Sequence, residues 1–236
     1  MFLLGLAIAP AVAIMLYIHR RDCYEKEPFN TLAKSFFLGA LSIVPAVILE
    51  IFGHKWGMNG HRPGGPVWET ALYAWGVVAF SEELCKLVVL RGYSYRQACF
   101  NEPFDGIVYS VMVSMGFAAV ENLIYVLQGG IAVAIIRMFL SVPAHATFGI
   151  LMGYYVGLAK FKEEDSFKLC LFGLLAAVFF HGAFDFFLFL NRIPLLVFGA
   201  FASLIVGILL SRKAMRLHNQ NSPFRPPAGI PIPPSI

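Results

Sequence analysis

The chain has 236 residues, of which 58% are hydrophobic and only 14% are charged, with a formal net charge of +4. Its mean hydropathy of +0.72 is far from the soluble norm, in which roughly a quarter of residues are charged. The basic residues stand in short loops beside apolar runs and form no basic face, which argues against a nucleic-acid partner. The composition predicts an all-α polytopic membrane protein in contact with a lipid bilayer.

Seven apolar runs have at least the roughly 17 residues that the shortest membrane-spanning helices contain. They cover residues 2–18, 35–53, 68–90, 104–127, 131–159, 169–190 and 195–211. Lys and Arg collect in the segments that follow spans one, three, five and seven. By the positive-inside rule, the N-terminus is therefore expected outside and the C-terminus in the cytoplasm.

The apolar runs predict a single helical membrane domain over residues 1–218, with its polar motifs concentrated in 68–188. The segment that follows, 219–236, is rich in proline and is expected to form a disordered cytoplasmic tail. A multi-pass protein of this kind is expected in a cell membrane.

Span three contains two adjacent carboxylates, Glu82 and Glu83, with Lys86 one turn later. Placing an ionisable group inside a membrane span costs at least ~2.5 kcal/mol, so such residues are interpreted first as functional. Glu82 and Lys86 share a helix face, whereas Glu83 points about 100° away. The structural alternative is that the two acids only balance Lys86 and Arg91 at the inner interface.

Span four carries Asp105 in its first turn, where the carboxylate can cap the helix or take part in a site. Further along it holds Phe117 and Glu121 on one helix face, followed by Asn122. Span two carries Glu50 close to its outer end, where a carboxylate is expected to reach the headgroups.

Spans five and six add two histidines to these acids. His145 lies in span five, and span six holds His181 with Asp185 four residues later. That spacing puts both side chains of span six on one helix face, where the aspartate can orient the imidazole. Taken alone, each histidine can also be a packing residue, but polar groups on four separate spans favour one enclosed site between spans three and six.

Two kinds of hydrolytic site fit these residues. In one, a buried carboxylate acts as general base on water, with a histidine assisting. In the other, Glu121, His145 and His181 bind a divalent metal ion, for which Zn²⁺ is the first candidate. Glu82 or Glu83 then deprotonates the metal-bound water. The H-E-x-x-H signature of many zinc proteases is absent.

Two other functional classes also fit. The same acids and histidines can serve as a relay in a proton- or cation-coupled transporter, although no paired repeat is visible. A non-catalytic scaffold that binds partner helices is the third interpretation. A single site also requires helix tilt, because upright spans leave Glu82 and Glu121 about 12 Å apart in depth.

Four short motifs stand in a fixed order along spans three to six. They are E-E-x-x-K at 82–86, E-P-x-D-G-I-x-Y at 102–109, G-F-x-x-x-E-N at 116–122 and H-x-x-x-D at 181–185. In this order and spacing the chain resembles the PrsW family of bacterial intramembrane proteases, which is related to the CAAX-processing and bacteriocin-immunity membrane proteases.

The resemblance implies a protease in the bacterial plasma membrane that cuts single-span membrane proteins, with anti-sigma factors as the substrate class. By motif position Glu82 and Glu83 would be the catalytic acids, and the site would be completed by Glu121, His145, His181 and Asp185. Supporting roles are expected for Lys86, Phe117, Asn122 and Asp105. The wider superfamily commonly has histidine and asparagine at positions 121 and 185, so the two carboxylates here favour a cation.

Overall fold

The computed structural model of the chain describes residues 2–56, 66–190 and 194–226. These residues form helices joined by short turns, with no strand among them. The remainder of the predicted tail, 227–236, lies outside the described residues.

The helices follow one another with few residues between them. In chain order they are α1 (Phe2–Arg21), α2 (Phe29–Leu41), α3 (Ile43–Lys55), α4 (Val67–Leu72), a π-helix (Tyr73–Ala79), α5 (Phe80–Gly92), a 3₁₀ turn (Ser94–Arg96), α6 (Pro103–Phe139), α7 (Ser141–Lys160), a second 3₁₀ turn (Glu163–Asp165), α8 (Ser166–Leu190) and α9 (Pro194–Gln220).

Five helical segments of the described chain are long and apolar enough to cross a membrane. They are Leu3–Arg21, Phe29–Lys55, Pro103–Lys160, Glu163–Leu190 and Phe198–Gln220. Predicted spans four and five fall within one of these segments, because only Leu140 separates α6 from α7. Predicted span three is divided among α4, the π-helix and α5 and is not one of the five. The all-helical membrane class is confirmed, whereas the number seven and the orientation stay predictions.

Helix α6 is the centre of the bundle and packs against α1, α2 and α7. Its first half is buried on all sides, as expected for a helix that is apolar all round, and Phe104, Ile107 and Met115 are fully buried. The backbones of α6 and α7 approach closely at Gly106, where an added Cβ would lie only 2.5 Å from the carbonyl oxygen of Gly153. Only glycine fits at this crossing.

Helix α6 is bent sharply at Gly130, where φ is 70° and ψ is −156°. This backbone region is essentially restricted to glycine, because a Cβ would be strained there. The bend redirects the last turns of α6, which carry Arg137, toward the preceding half of the same helix.

Helices α1, α5, α7 and α9 end at the same end of the bundle. Asn219 donates through Nδ2 to the carbonyl oxygen of Arg21 at 3.1 Å, which joins the ends of α9 and α1. Lys160 at the end of α7 donates to the carbonyl oxygen of Tyr95 at 2.6 Å. His218 Nε2 lies 2.9 Å from the carbonyl oxygen of Tyr154 and links α9 to α7.

Candidate active site

The two adjacent carboxylates lie in the first turn of α5, directly after the π-helix. π-Helical turns are rare and occur frequently at functional sites. Glu82 is 6% exposed and Glu83 is fully buried. Lys86 Nζ lies 3.3 Å from Oε2 of Glu82 and 2.7 Å from Oε1 of Glu83, so α5 itself supplies a counter-charge for both acids.

The Lys86 ammonium stands at the centre of the polar group. Besides its two carboxylate contacts it lies 3.1 Å from Nδ1 of His145. It also lies 4.3 Å from the ring centre of Phe117, where a cation is attracted to the aromatic face. Phe117, predicted as a supporting residue, therefore forms one wall around the ammonium.

His181 on α8 faces a carboxylate with each of its ring nitrogens. Nδ1 lies 2.8 Å from Oε1 of Glu83, and Nε2 lies 3.2 Å from Oδ2 of Asp185 one turn later. A carboxylate only accepts hydrogen bonds, so both contacts form when both nitrogens carry a proton. The Nε2 atom is also 4.0 Å from Oε2 of Glu82, which places His181 between the two acids of α5.

His145 on α7 links this group to Glu121. Its Nε2 lies 2.7 Å from Oε2 of Glu121, and its ring centre is 5.3 Å from that of His181. Because an ammonium can only donate, Nδ1 accepts from Lys86, and the ring proton is assigned to Nε2, which donates to Glu121. The ring of Phe148 stacks on His181 at 4.7 Å and limits where the two imidazoles can move.

Arg137 is a site residue that the sequence reasoning missed. Its Nη2 forms an ion pair with Oε2 of Glu121 at 2.9 Å, and its Nε donates to Oδ1 of Asn122 at 2.9 Å. Asn122 in turn donates through Nδ2 to the carbonyl oxygen of Ala7 on α1 at 2.7 Å. A lone arginine inside an apolar run was the available signal, but its partner depends on the bend at Gly130.

Four donors from three helices converge on one point. One ligand atom from each of Glu82, Glu83, His145 and His181 can be chosen so that all of them lie within 4.8 Å of one another. Glu121 is outside this group and contacts the far nitrogen of His145. Glu82 and Glu83 are therefore the carboxylates that share this point with the two imidazoles, whereas the sequence-derived metal set paired the imidazoles with Glu121.

The donor group fits a divalent metal ion. Two imidazoles with carboxylates are a common donor set for catalytic zinc. Among the described residues, Oε2 of the fully buried Glu83 has no hydrogen-bond partner. A buried carboxylate oxygen needs a proton donor or a cation, so this atom also favours a bound cation.

A cavity of about 530 Å³ opens onto this group. Its polar wall is formed by Glu50, Tyr73, Glu82, Glu121, Tyr125, Arg137, Ser141, His145, His181 and Asp185. Apolar side chains such as Val133 and Leu188 complete it. Glu50, for which a headgroup contact is predicted, therefore faces the same space as Glu82. Glu82 and Glu121 share one cavity despite their different predicted depths.

Asp105 lies away from this cavity, at the first turn of α6. Its Oδ2 accepts hydrogen bonds from the backbone N–H of Asn101 at 2.7 Å and of Glu102 at 2.8 Å. These contacts satisfy backbone donors at the start of the helix, as a capping carboxylate does. Of the two roles that the sequence leaves open for Asp105, the structure shows capping.

Comparison with known proteins gives consistent matches. The sequence model of a family described as "PrsW family intramembrane metalloprotease" matches residues 27–211. Protease PrsW of Shouchella clausii is 36% identical over 77% of this chain and 81% of its own length. Protease PrsW of Geobacillus kaustophilus is 36% identical over 78% of each chain, and that of Bacillus subtilis is 33% identical over 79% of this chain and 82% of its own. No solved structure matches.

Proposed function

Because the chain belongs to the PrsW family and is thus a multi-pass membrane protease, we propose that it hydrolyses peptide bonds of single-span membrane proteins, with an anti-sigma factor as the substrate. The resemblance to the family supports this substrate class. Family membership also favours hydrolysis over the ion-coupled transport that the same buried groups would permit.

The observation that carries the proposal is the convergence of Glu82, Glu83, His145 and His181 beside a cavity of the helix bundle, with Glu82, His145 and His181 in the cavity wall. Hydrolysis needs an activated water beside a bound peptide group, and ionisable side chains of this kind activate water. Apolar walls beside them suit an unwound stretch of a membrane-spanning substrate. The cavity therefore combines a place for the substrate with the groups that act on it.

Exposure separates the proposed roles of the two adjacent acids. Glu82 lines the cavity, so we assign it as the general base that accepts a proton from water as the water oxygen attacks the peptide carbonyl. The same proton then passes from Glu82 to the departing amine nitrogen as the C–N bond breaks, which returns the carboxylate to its starting form. Glu83 is fully buried and holds Lys86 and His181 in place.

Glu83, His145 and His181 are the residues we assign to hold a metal ion, with Zn²⁺ as the proposed identity. When bound, the ion supplies Lewis acidity toward the peptide carbonyl and favours ionisation of a water. Glu121 then orients His145 through Nε2, and Asp185 orients His181, as carboxylates commonly do for metal-binding imidazoles. Without an ion, the Lys86 ammonium occupies the centre of the same group.

The test is cleavage of a panel of single-span membrane proteins, anti-sigma factors included, by the purified chain in lipid vesicles. Replacement of Glu82 by Gln removes the base and should lower the cleavage rate at least about 100-fold, the lower end of general-base contributions. Glu164→Gln, at an exposed acid outside the site, is the matched control and should leave the rate unchanged. Full activity in Glu82→Gln would refute the assignment, and failure of the unmodified chain to cleave any protein of the panel would refute the substrate class.

A further inference from the structure

A second polar cavity of about 530 Å³ lies at the end of the bundle where α1 and α9 finish. Four arginines line it, one from α1, two from α9 and one from the segment after α9, and they are Arg21, Arg212, Arg216 and Arg225. Tyr17 and Tyr24 are also in its wall. No residue of the active site takes part in it.

Among the described residues, no acidic one lines this cavity. None of the ion pairs among the described residues involves its arginines. Four like charges around one space repel each other, and a bound anion would relieve that repulsion. The guanidinium group presents a planar fork of donors that matches phosphate oxygens, which makes arginine the preferred residue for binding phosphate.

The walls of this arginine cavity are tied together by backbone contacts. Asn219 donates to the carbonyl oxygen of Arg21 at 3.1 Å, and Arg225 donates through Nη1 to the carbonyl oxygen of Gln220 at 3.1 Å. Arg212 and Arg216 are four residues apart and share one face of α9. The four charges thus face one space between the first and last helices.

The position of the cavity indicates the source of the anion. It lies at the ends of two membrane-length helices, Leu3–Arg21 and Phe198–Gln220, and therefore at headgroup depth. Tyrosines such as Tyr17 and Tyr24 are enriched at this depth, and basic pockets between membrane helices bind anionic headgroups. In the orientation predicted by the positive-inside rule, this end faces the cytoplasmic leaflet.

We propose that the arginine cavity binds the phosphate headgroup of an anionic phospholipid and so clamps α1 against α9. The lipid supplies the negative charge that the cavity wall lacks, and its acyl chains extend along the apolar surfaces of the two helices. This role is separate from peptide hydrolysis, so it can be tested whether or not a substrate is known.

The test compares the melting temperature of the detergent-purified full chain after addition of phosphatidylglycerol or phosphatidylcholine, with bound lipids counted by native mass spectrometry. Phosphatidylglycerol should raise the melting temperature by several degrees more and remain bound to the ionised protein. The double variant Arg212→Gln/Arg216→Gln should lose this difference. Lys162→Gln/Lys213→Gln is matched in charge, uses exposed lysines outside the cavity wall, and should keep it.

Two further arms separate the possible anions. Inorganic phosphate at millimolar concentration should stabilise the chain far less than the lipid, whereas equal stabilisation would overturn the lipid as the source. An acidic peptide that binds in an arginine-dependent manner while the lipid does not would overturn the proposal as well. Equal effects of phosphatidylglycerol on both double variants would refute the proposal. If the arginine double variant does not fold, Arg216→Lys takes its place: it keeps the charge and loses the guanidinium fork, so it should retain part of the rise in melting temperature.

Discussion

His181 Nδ1 lies 2.8 Å from Oε1 of Glu83, although 98 residues separate the two in the chain. The contact joins α8 to α5 at full burial and brings the acid of one motif onto the imidazole of another. It is shorter than the 4.0 Å contact between His181 and Glu82, the other contact between these two motifs. The single-site interpretation therefore depends on it.

Replacing Arg137 by Gln should weaken catalysis without removing any group that acts on the substrate. The variant loses the ion pair that holds Glu121 on His145, and loss of such an outer partner of a histidine typically costs about 10- to 100-fold in activity or metal affinity. The fall should appear in kcat, and Arg137→Lys should recover part of it. Arg96→Gln, at an exposed position, is the control, and an unchanged kcat in Arg137→Gln would contradict this role.

Lys86→Met should lower the stability of the metal-free chain and increase the stabilisation that added metal gives. Removal of one partner from a buried ion pair costs about 3–5 kcal/mol, because Glu82 and Glu83 lose the ammonium group that compensates their charges. A divalent ion can replace that charge, so the rise in melting temperature on adding Zn²⁺ should be larger than in the unmodified chain. A smaller rise would show that Lys86 and the metal do not compete for one place.

Gly130→Ala should destabilise the chain by about 1–3 kcal/mol, because φ at this residue is 70° and a Cβ is strained there. The same change displaces Arg137, so the cleavage rate should fall together with the melting temperature. Gly5→Ala is the matched control, since it lies within α1 and its added Cβ meets nothing within 4 Å. It should be neutral or slightly stabilising, and equal effects at both positions would contradict the strained bend.

Asp22→Asn should stabilise the chain at pH 8 and have little effect at pH 4. Burial raises the pKa of the Asp22 carboxyl from 3.8 to about 7, with Glu102 and Glu27 adding to the shift and Lys26 opposing it. The folded state therefore holds this proton more tightly than the unfolded state, and stability falls as pH rises through about 7. The neutral amide avoids that loss, which for an unpaired buried polar group is roughly 1–3 kcal/mol.

The check is the melting temperature of both proteins across this pH range. A gain from Asp22→Asn that is equal at pH 4 and pH 8 would show that the carboxylate charge is not the cause.

Contacts within one helix could be predicted from the sequence, because their geometry follows from residue spacing. Glu82 with Lys86, and His181 with Asp185, each lie four residues apart and meet as expected. The membrane class could be predicted from the high apolar and low charged content of the chain. Neither prediction needed any knowledge of how the helices pack.

Contacts between helices could not be derived in the same way. The position of Glu121 on the far nitrogen of His145 depends on the packing of α6 against α7, and Arg137 reaches Glu121 through a bend at Gly130 that hydropathy does not reveal. The predicted third span also reads as one apolar run, whereas the chain divides it with a π-helix that ends at Ala79, directly before the helix that carries Glu82. Backbone geometry of this kind leaves no periodic signal in a single sequence.

The most direct test of the central claim is the metal content of the purified chain, measured beside its cleavage of a single-span substrate. We predict one divalent ion per chain, loss of both ion and cleavage on chelation, and recovery of both with Zn²⁺. His145→Ala and His181→Ala should each lose the ion, whereas His19→Ala, near the other end of the bundle, should keep it. Cleavage that continues in metal-free protein, or in both site variants, would contradict the account.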